Sequence, residues 1–202
     1  MRMNGFKVTL INCQSCGRRI MVRAADAERG TIRCSHVGCG ADNRLQTAFH
    51  YDPSIVQGLP EFGHLTYLER PELTYPLQFG LNVIGTAESC TVRMERFAHD
   101  GRCYISRRHC TLTVAFDQWN GQLRYQLQDG VPESDSPERR YSLNGTYLNG
   151  SLLQKTELID LNHDGIITLG GRDRFRLTHY FIPSAMLNTY KVELAFNADR
   201  TE

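Results

Sequence analysis

The chain has 202 residues, 41% hydrophobic and 22% charged, with 23 Lys+Arg against 22 Asp+Glu for a formal +1. This composition excludes a disordered or collagen-like polypeptide, and at roughly 100–200 residues per domain the length suits one large domain or two modest ones. No run of about 18 apolar residues occurs and the apolar run Val8–Ile11 is too short for a signal-peptide core, so a cytoplasmic protein with no membrane span is expected.

The near-neutral total hides an asymmetry. The first 50 residues carry 8 basic and 3 acidic side chains and the rest carry 15 and 19, so a +5 head precedes a −4 body. Seven cysteines is an odd number, and they fall into two groups: Cys13, Cys16, Cys34 and Cys39 in the head, and Cys90, Cys103 and Cys110 in the body. Cys13-x2-Cys16 and Cys34-x4-Cys39 each fit a tight turn that donates two thiolates to one tetrahedral Zn²⁺, the spacing of a zinc ribbon. Gly17, and Gly38 and Gly40 on either side of Cys39, permit the positive φ such turns need. Arg19–Arg23 and Thr31–Arg33 are predicted as short strands between the two pairs. About 40 residues bury too little to fold unaided, so a structural zinc ion would supply much of the folding free energy. His36 is an alternative ligand to Cys39, and four free structural cysteines are the alternative to a metal. Arg18, Arg19, Arg23 and Arg33 would offset a tetrathiolate site and leave the head at about +3, which weakens an argument for nucleic acid from basicity alone.

Asp52-Pro53 and Gly58-Leu59-Pro60-Glu61-Phe62-Gly63 mark residues 51–63 as a linker between a ribbon over 1–50 and a body over 64–183. In the body, strands are predicted at His64–Leu68, Leu77–Ile84, Thr91–Met94, Cys103–Ile105, Cys110–Phe116, Gln122–Leu127, Thr146–Leu148, Gly165–Leu169 and Phe175–Phe181. Their number, their alternation and the turn residues between them predict a mainly β fold built as a sandwich or barrel. Asp129–Arg140, with two prolines and charges of both signs, is predicted as a mobile polar loop. Ser184–Glu202 is a C-terminal extension that suits a strand or a short helix.

Three local signals then line up. Ser106-Arg107-Arg108-His109 opens one strand-like run, and Asn144-Gly145-Thr146 opens another. Asn149-Gly150 forms a two-residue hairpin turn, between an upstream Val83-Ile84-Gly85 and a downstream Asp164-Gly165-Ile166-Ile167-Thr168-Leu169-Gly170. In this order and spacing the body resembles the forkhead-associated (FHA) domain. The resemblance implies an antiparallel β-sandwich whose loops at one end bind phosphothreonine peptides, a recognition module without catalysis. By position it implies that Ser106 offers its hydroxyl to the phosphate, that His109 points inward to brace the loops, and that Asn144 holds the peptide backbone. Gly145 would permit the turn and Thr146 would begin the supporting strand, with Gly85, Asn149 and Gly150 shaping the neighbouring turns.

Two positions depart from the family. Thr86 follows Gly85 where an arginine usually grips the phosphate, and Leu143 precedes Asn144 where a small hydroxyl residue is frequent. A charge-assisted hydrogen bond is worth about 1.5–3 kcal/mol, so its loss weakens binding by one to two orders of magnitude. Arg107, Arg102, Arg139 and Arg140 are the candidates to restore the cation, or else are solvated surface arginines.

Other signals are set aside. Asp160–Gly165 mimics an EF-hand start, but Gly171 stands where the bidentate Glu is required. No P-loop, Gly-x-Ser-x-Gly or His-Glu-x-x-His occurs, so no enzyme is expected. The leading reading is a two-module adaptor that binds a partner protein when it is threonine-phosphorylated, downstream of a Ser/Thr kinase. Its alternatives are a phosphate-independent scaffold, motivated by Thr86 and Leu143, and nucleic-acid binding through the basic ribbon, for which the few aromatics Phe6, Phe49 and Tyr51 make a poor stacking platform.

Overall fold

The computed structural model describes residues 9–23, 26, 29–44, 49–133 and 138–193. The expected apolar run at Val8, the connection after Arg23 at 24, 25, 27 and 28, the centre of the polar loop at 134–137 and the extension beyond residue 193 lie outside the described residues. The chain divides into two compact units, one of residues 1–53, 118–121 and 184–202, the other of residues 54–117 and 122–183.

The first unit is built from short antiparallel pairs. β1 (Thr9–Asn12) pairs with β2 (Arg19–Val22), and β3 (Thr31–Arg33) with β4 (Asp42–Arg44). The two strands expected in the head are present, each paired with a neighbour the sequence reading had not marked. Between them Cys13, Ile20 and Cys34 are buried, with Ile11, Ile32, Cys39 and Ala41 packed around them. Asn43 is fully buried: its Oδ1 accepts from the Gln14 N–H and its Nδ2 donates to the carbonyls of Ala41 and Ile32, so one side chain ties both cysteine turns together. β5 (Phe49–Tyr51) pairs with the C-terminal β19 (Lys191–Glu193), which follows the helix α1 (Ser184–Thr189), so the extension holds both a helix and a strand.

The second unit is a sandwich of a five-stranded and a six-stranded sheet. A 3-10 turn, Pro53–Gly58, leads into it, with Ile55 and then Leu59 buried. The six-stranded sheet contains β6 (His64–Tyr67), β7 (Thr74–Pro76), β14 (Thr146–Leu148), β15 (Ser151–Leu152), β17 (Ile166–Leu169) and β18 (Asp173–Thr178), in the order β15-β14-β17-β18-β6-β7. The five-stranded sheet contains β8 (Gly80–Gly85), β9 (Val92–Arg93), β10 (Cys110–Asp117), β11 (Gln122–Asp129) and β16 (Leu158–Asp160), in the order β16-β11-β10-β8-β9. Neighbouring strands in both sheets are antiparallel except β8 with β9, which run parallel.

Alternation explains the core. Leu123, Tyr125 and Leu127 on β11, Leu112 and Val114 on β10, Phe175 and Leu177 on β18, and Ile167 and Leu169 on β17 face inward and are buried. Tyr67 stacks on Phe97 at 4.1 Å between ring centroids, with Phe175 5.2 Å from Tyr67.

Several expected strands are corrected. Cys103–Ile105 is loop rather than strand. The run Leu77–Ile84 starts pairing only at Gly80, because Asn82 turns back on the chain: its Oδ1 accepts from Gln78 N–H and its Nδ2 donates to Gln78 C=O, both at 2.8 Å. At the two ends of the polar loop, β12 (Val131–Pro132) pairs with β13 (Arg139–Arg140), where the sequence predicts no strand.

Gly85, at the end of β8, has no room for a side chain. A Cβ there would lie 2.3 Å from the carbonyl oxygen of Arg107. Gly85→Ala must therefore push the 106–108 loop away. The expected loss is about 1–3 kcal/mol, as for other overpacked sites, measurable as a lower urea midpoint with an unchanged m-value.

Candidate functional site

At one end of the sandwich, four chain segments are joined through a single buried residue, His109. Its backbone N–H donates to Ile84 C=O at 2.7 Å and its C=O accepts from Gly130 N–H at 2.9 Å. Its Nδ1 accepts from the Ser106 N–H at 2.9 Å, which leaves the proton on Nε2, and Nε2–H donates to Gly145 C=O at 3.1 Å. The loops bearing Ser106 and Asn144 are thus held together from below. From above, the Leu143 N–H donates to Ser106 Oγ at 3.1 Å, and Asn144 Nδ2 donates to Tyr104 C=O at 3.0 Å. Gly145 has φ 79° and Gly170 approaches the Tyr104 carbonyl so closely that a Cβ would sit 2.4 Å from it. Asn149 and Gly150, at φ 49° and 86°, make the hairpin turn between β14 and β15.

A second anchor was not anticipated from the sequence. Asp129 is buried, and its Oδ1 accepts from the hydroxyls of Thr146 at 2.6 Å and Ser142 at 2.7 Å, while Oδ2 accepts from Ser142 N–H at 3.3 Å. The signal was available in the alternation: Asp129 continues the inward series Leu123, Tyr125, Leu127 on β11. Asp173 does the same on β18, where it accepts from Tyr67 Oη at 3.1 Å and lies 2.7 Å from His99 Nε2.

A groove of about 830 Å³ opens beside this rim, lined by Ser106, Arg107, Arg108, Arg140, Leu143 and Lys155, with Ala87, Ser89, Val131, Glu133, Tyr141 and Ser142. Leu143 is 88% exposed. Of the four arginines proposed to replace the missing one, Arg107 and Arg140 line the groove. Arg139 is turned inward and donates to Gly130 C=O at 2.6 Å, Gln128 Oε1 at 2.6 Å and Thr111 Oγ1 at 3.1 Å. Arg102 is exposed and forms a backbone bridge with His99 away from the groove lining. Thr86 is half-buried and its N–H donates to Ser106 C=O at 3.3 Å. Arg108 and Lys155 are the groove cations that the sequence reading missed.

The family model for the FHA domain matches residues 82–170. The chain carries an FHA domain. FHA domains typically bind phosphothreonine peptides and are recognition modules rather than enzymes. Among solved structures, the chain is similar to the MEK1 FHA domain in complex with a HOP1 phosphothreonine peptide, at 25% identity over 59% of this chain and 97% of that one, with a TM-score of 0.44. It is also similar to the yeast Dun1 FHA domain in complex with a doubly phosphorylated peptide derived from Rad53, at 20% identity over 61% of this chain and 77% of that one, TM-score 0.46. A third is the FhaA FHA domain complexed with the intracellular domain of Rv3910, at 23% identity over 57% and 98%, TM-score 0.40. No curated protein matches the chain in sequence. Among the described residues no helix is long and apolar enough to cross a membrane.

The head holds a second site. The sulfurs of Cys13, Cys16, Cys34 and Cys39 all lie within 4.8 Å of one another, so they could hold a metal ion. Cys13 and Cys39 Sγ are 3.7 Å apart and Cys16 and Cys34 Sγ 3.8 Å. A Zn–S bond of about 2.3 Å in a tetrahedron gives an S···S edge of about 3.8 Å, so the donor set fits zinc. The backbone N–H of Cys16, with that of Ser15 and the Asn43 side chain, pulls the Cys13 thiol down to about 6, while in the same cluster, against the His36 backbone N–H, burial and the neighbouring thiols push Cys34 up to about 12. His36 is directed elsewhere, its Nε2 3.2 Å from Arg19 C=O, leaving Cys39 with the other three sulfurs. In the sandwich Cys90 and Cys110 are buried and Cys103 half-buried.

Burial holds His109 below the ordinary imidazole range, and burial together with the neighbouring His163 pushes His179 down to about 4. Protonating His109 would also set an Nδ1–H against the Ser106 N–H that it now accepts from. Both imidazoles are neutral in the fold, and the unfolded chain binds more protons once pH drops below about 6.5. Stability of the sandwich should therefore be full above that pH and fall steadily from about 6.5 toward 4, read as a decreasing urea midpoint. His109→Gln should flatten part of that slope.

Proposed function

We propose that the FHA domain binds a partner protein at a phosphorylated threonine, with the phosphate taken up where the Ser106 hydroxyl and the Arg107 guanidinium face the groove. The carrying observation is that the loops of Ser106 and Asn144 converge on one open groove that is rich in cations. A phosphoryl group brings about −1.5 to −2 charges and three acceptor oxygens, and it rewards converging O–H, N–H and guanidinium donors. In place of the arginine absent at Thr86, Arg107 neutralises the phosphate charge, with Arg108 and Arg140 beside it. His109, Gly85, Gly145, Thr146, Asn149 and Gly150 hold the loops, and Asn144 is assigned to the peptide backbone once released from Tyr104. A Ser/Thr kinase would supply the mark. The head is assigned a structural Zn²⁺ on Cys13, Cys16, Cys34 and Cys39; the ion would supply fixed tetrahedral bonds in place of the core a small module lacks.

The scaffold reading has its own support, since Thr86 and the exposed Leu143 both remove groups that would contact phosphate. Calorimetric titration with matched peptides separates the two. A phosphothreonine peptide is expected to bind about 10–100-fold more tightly than its unphosphorylated form. Ser106→Ala should lower the first affinity about tenfold and leave the second unmoved, whereas Thr86→Arg should raise the first. Equal binding of both peptides by the native chain would select the scaffold.

For the head, plasma mass spectrometry of the purified chain should find one zinc per chain. Chelation should erase the dispersed amide signals of residues 9–44 while those of the sandwich core persist.

A further inference from the structure

We infer that the groove selects phosphothreonine peptides carrying an acidic residue close to the phosphothreonine, and that Lys155 and Arg140 read that acid. The inference rests on the phosphothreonine reading of the same groove and deepens it to a class of partner, an acidic phosphorylated segment.

Among the described residues, Arg107, Arg108, Arg140 and Lys155 line the groove against a single carboxylate, Glu133, a formal +3. A phosphothreonine supplies only about −1.5 to −2, so one bound phosphate leaves about one positive charge unmatched. Elsewhere on the sandwich, exposed arginines meet carboxylates: Arg70 with Glu95, Arg93 with Glu88, Arg124 with Asp160 and Arg174 with Glu69. Among the described residues none of the four groove cations makes such an ion pair. The cations also arrive on separate segments: Arg107 and Arg108 on the Ser106 loop, Arg140 at the end of β13, and Lys155 on the turn between β15 and β16. Lys155 is steadied by an aromatic face, its Nζ 5.3 Å from the ring centre of Tyr141, so its charge is held at the groove wall. Like charges gathered around an open groove repel one another, and a ligand that brings a second anion relieves that repulsion.

The test is a set of phosphothreonine peptides with Asp or Glu, neutral residues or Lys around the phosphothreonine, each with its unphosphorylated twin, titrated at low and at raised salt. Each added carboxylate should tighten binding by about fivefold at low salt, less as salt rises. Lys155→Gln should flatten this preference and Lys155→Glu should reverse it, with phosphorylated peptides still preferred over unphosphorylated ones. Binding that depends on the phosphate but ignores the flanking charge would overturn the inference and leave the phosphothreonine reading standing. Binding that ignores the phosphate would overturn that reading itself. Competition by a short single-stranded DNA as effective as that of the acidic peptide would overturn both in favour of a general polyanion groove.

Discussion

The buried imidazole of His109 is the constraint on which the rim of the sandwich depends. With one nitrogen accepting from Ser106 N–H and the other donating to Gly145 C=O, it fixes two loops that lie far apart in sequence, while its own backbone groups join β8 to the loop after β11. Each such hydrogen bond is worth only about 1 kcal/mol net, but leaving a buried partner unpaired costs more, so the four interactions stand or fall together. The arrangement also requires glycine at the two closest approaches, Gly85 beneath Arg107 and Gly170 beneath Tyr104. Recognition loops of this kind need a rigid base, because every degree of freedom left in them must be frozen when a peptide binds.

Asp129 reinforces the same base from β11, the strand paired with β10 where His109 leads into the five-stranded sheet. Its carboxylate gathers the hydroxyls of Thr146 and Ser142 at a point where the strand would otherwise present an apolar side chain. A buried carboxyl group is tolerable only when it is hydrogen-bonded, and here three donors reach it. The inward-turned Arg139 nearby spends its guanidinium on Gly130, Gln128 and Thr111. It thereby orders the strand pair that the polar loop contains and is unavailable to a ligand, which leaves the groove charge to Arg107, Arg108, Arg140 and Lys155.

The head follows a different physical logic. Its apolar cluster is a handful of side chains around Cys13, Ile20 and Cys34, and its two cysteine turns meet through Asn43 and through the sulfurs themselves. Two of the sulfur separations, 3.7 and 3.8 Å, equal the edge of a tetrahedral tetrathiolate site, and all four sulfurs lie within 4.8 Å of one another, so the turns bring the donors together.

The amino-acid sequence by itself determined the paired cysteine turns, the β-rich body and its FHA motifs, because each rests on short-range rules: ligand spacing, period-two alternation, and glycine or asparagine where φ turns positive. It determined less well where strands begin. The 77–84 run splits because Asn82 bonds back to Gln78, and Cys103–Ile105 stays unpaired while the Tyr104 carbonyl takes its bond from Asn144. The alternation of β11 and β18 already pointed Asp129 and Asp173 inward, but it could not say which hydroxyls would meet them. Only the tertiary structure decided which arginines face the groove. Arg139 and Arg140 are adjacent in the chain and carry the same charge, yet successive residues of a strand point to opposite faces, so one is consumed inside and the other is left at the rim. Lys155 and Tyr141 reach that rim from positions with no motif to mark them, because proximity across turns is a property of the packed sheets and not of local sequence.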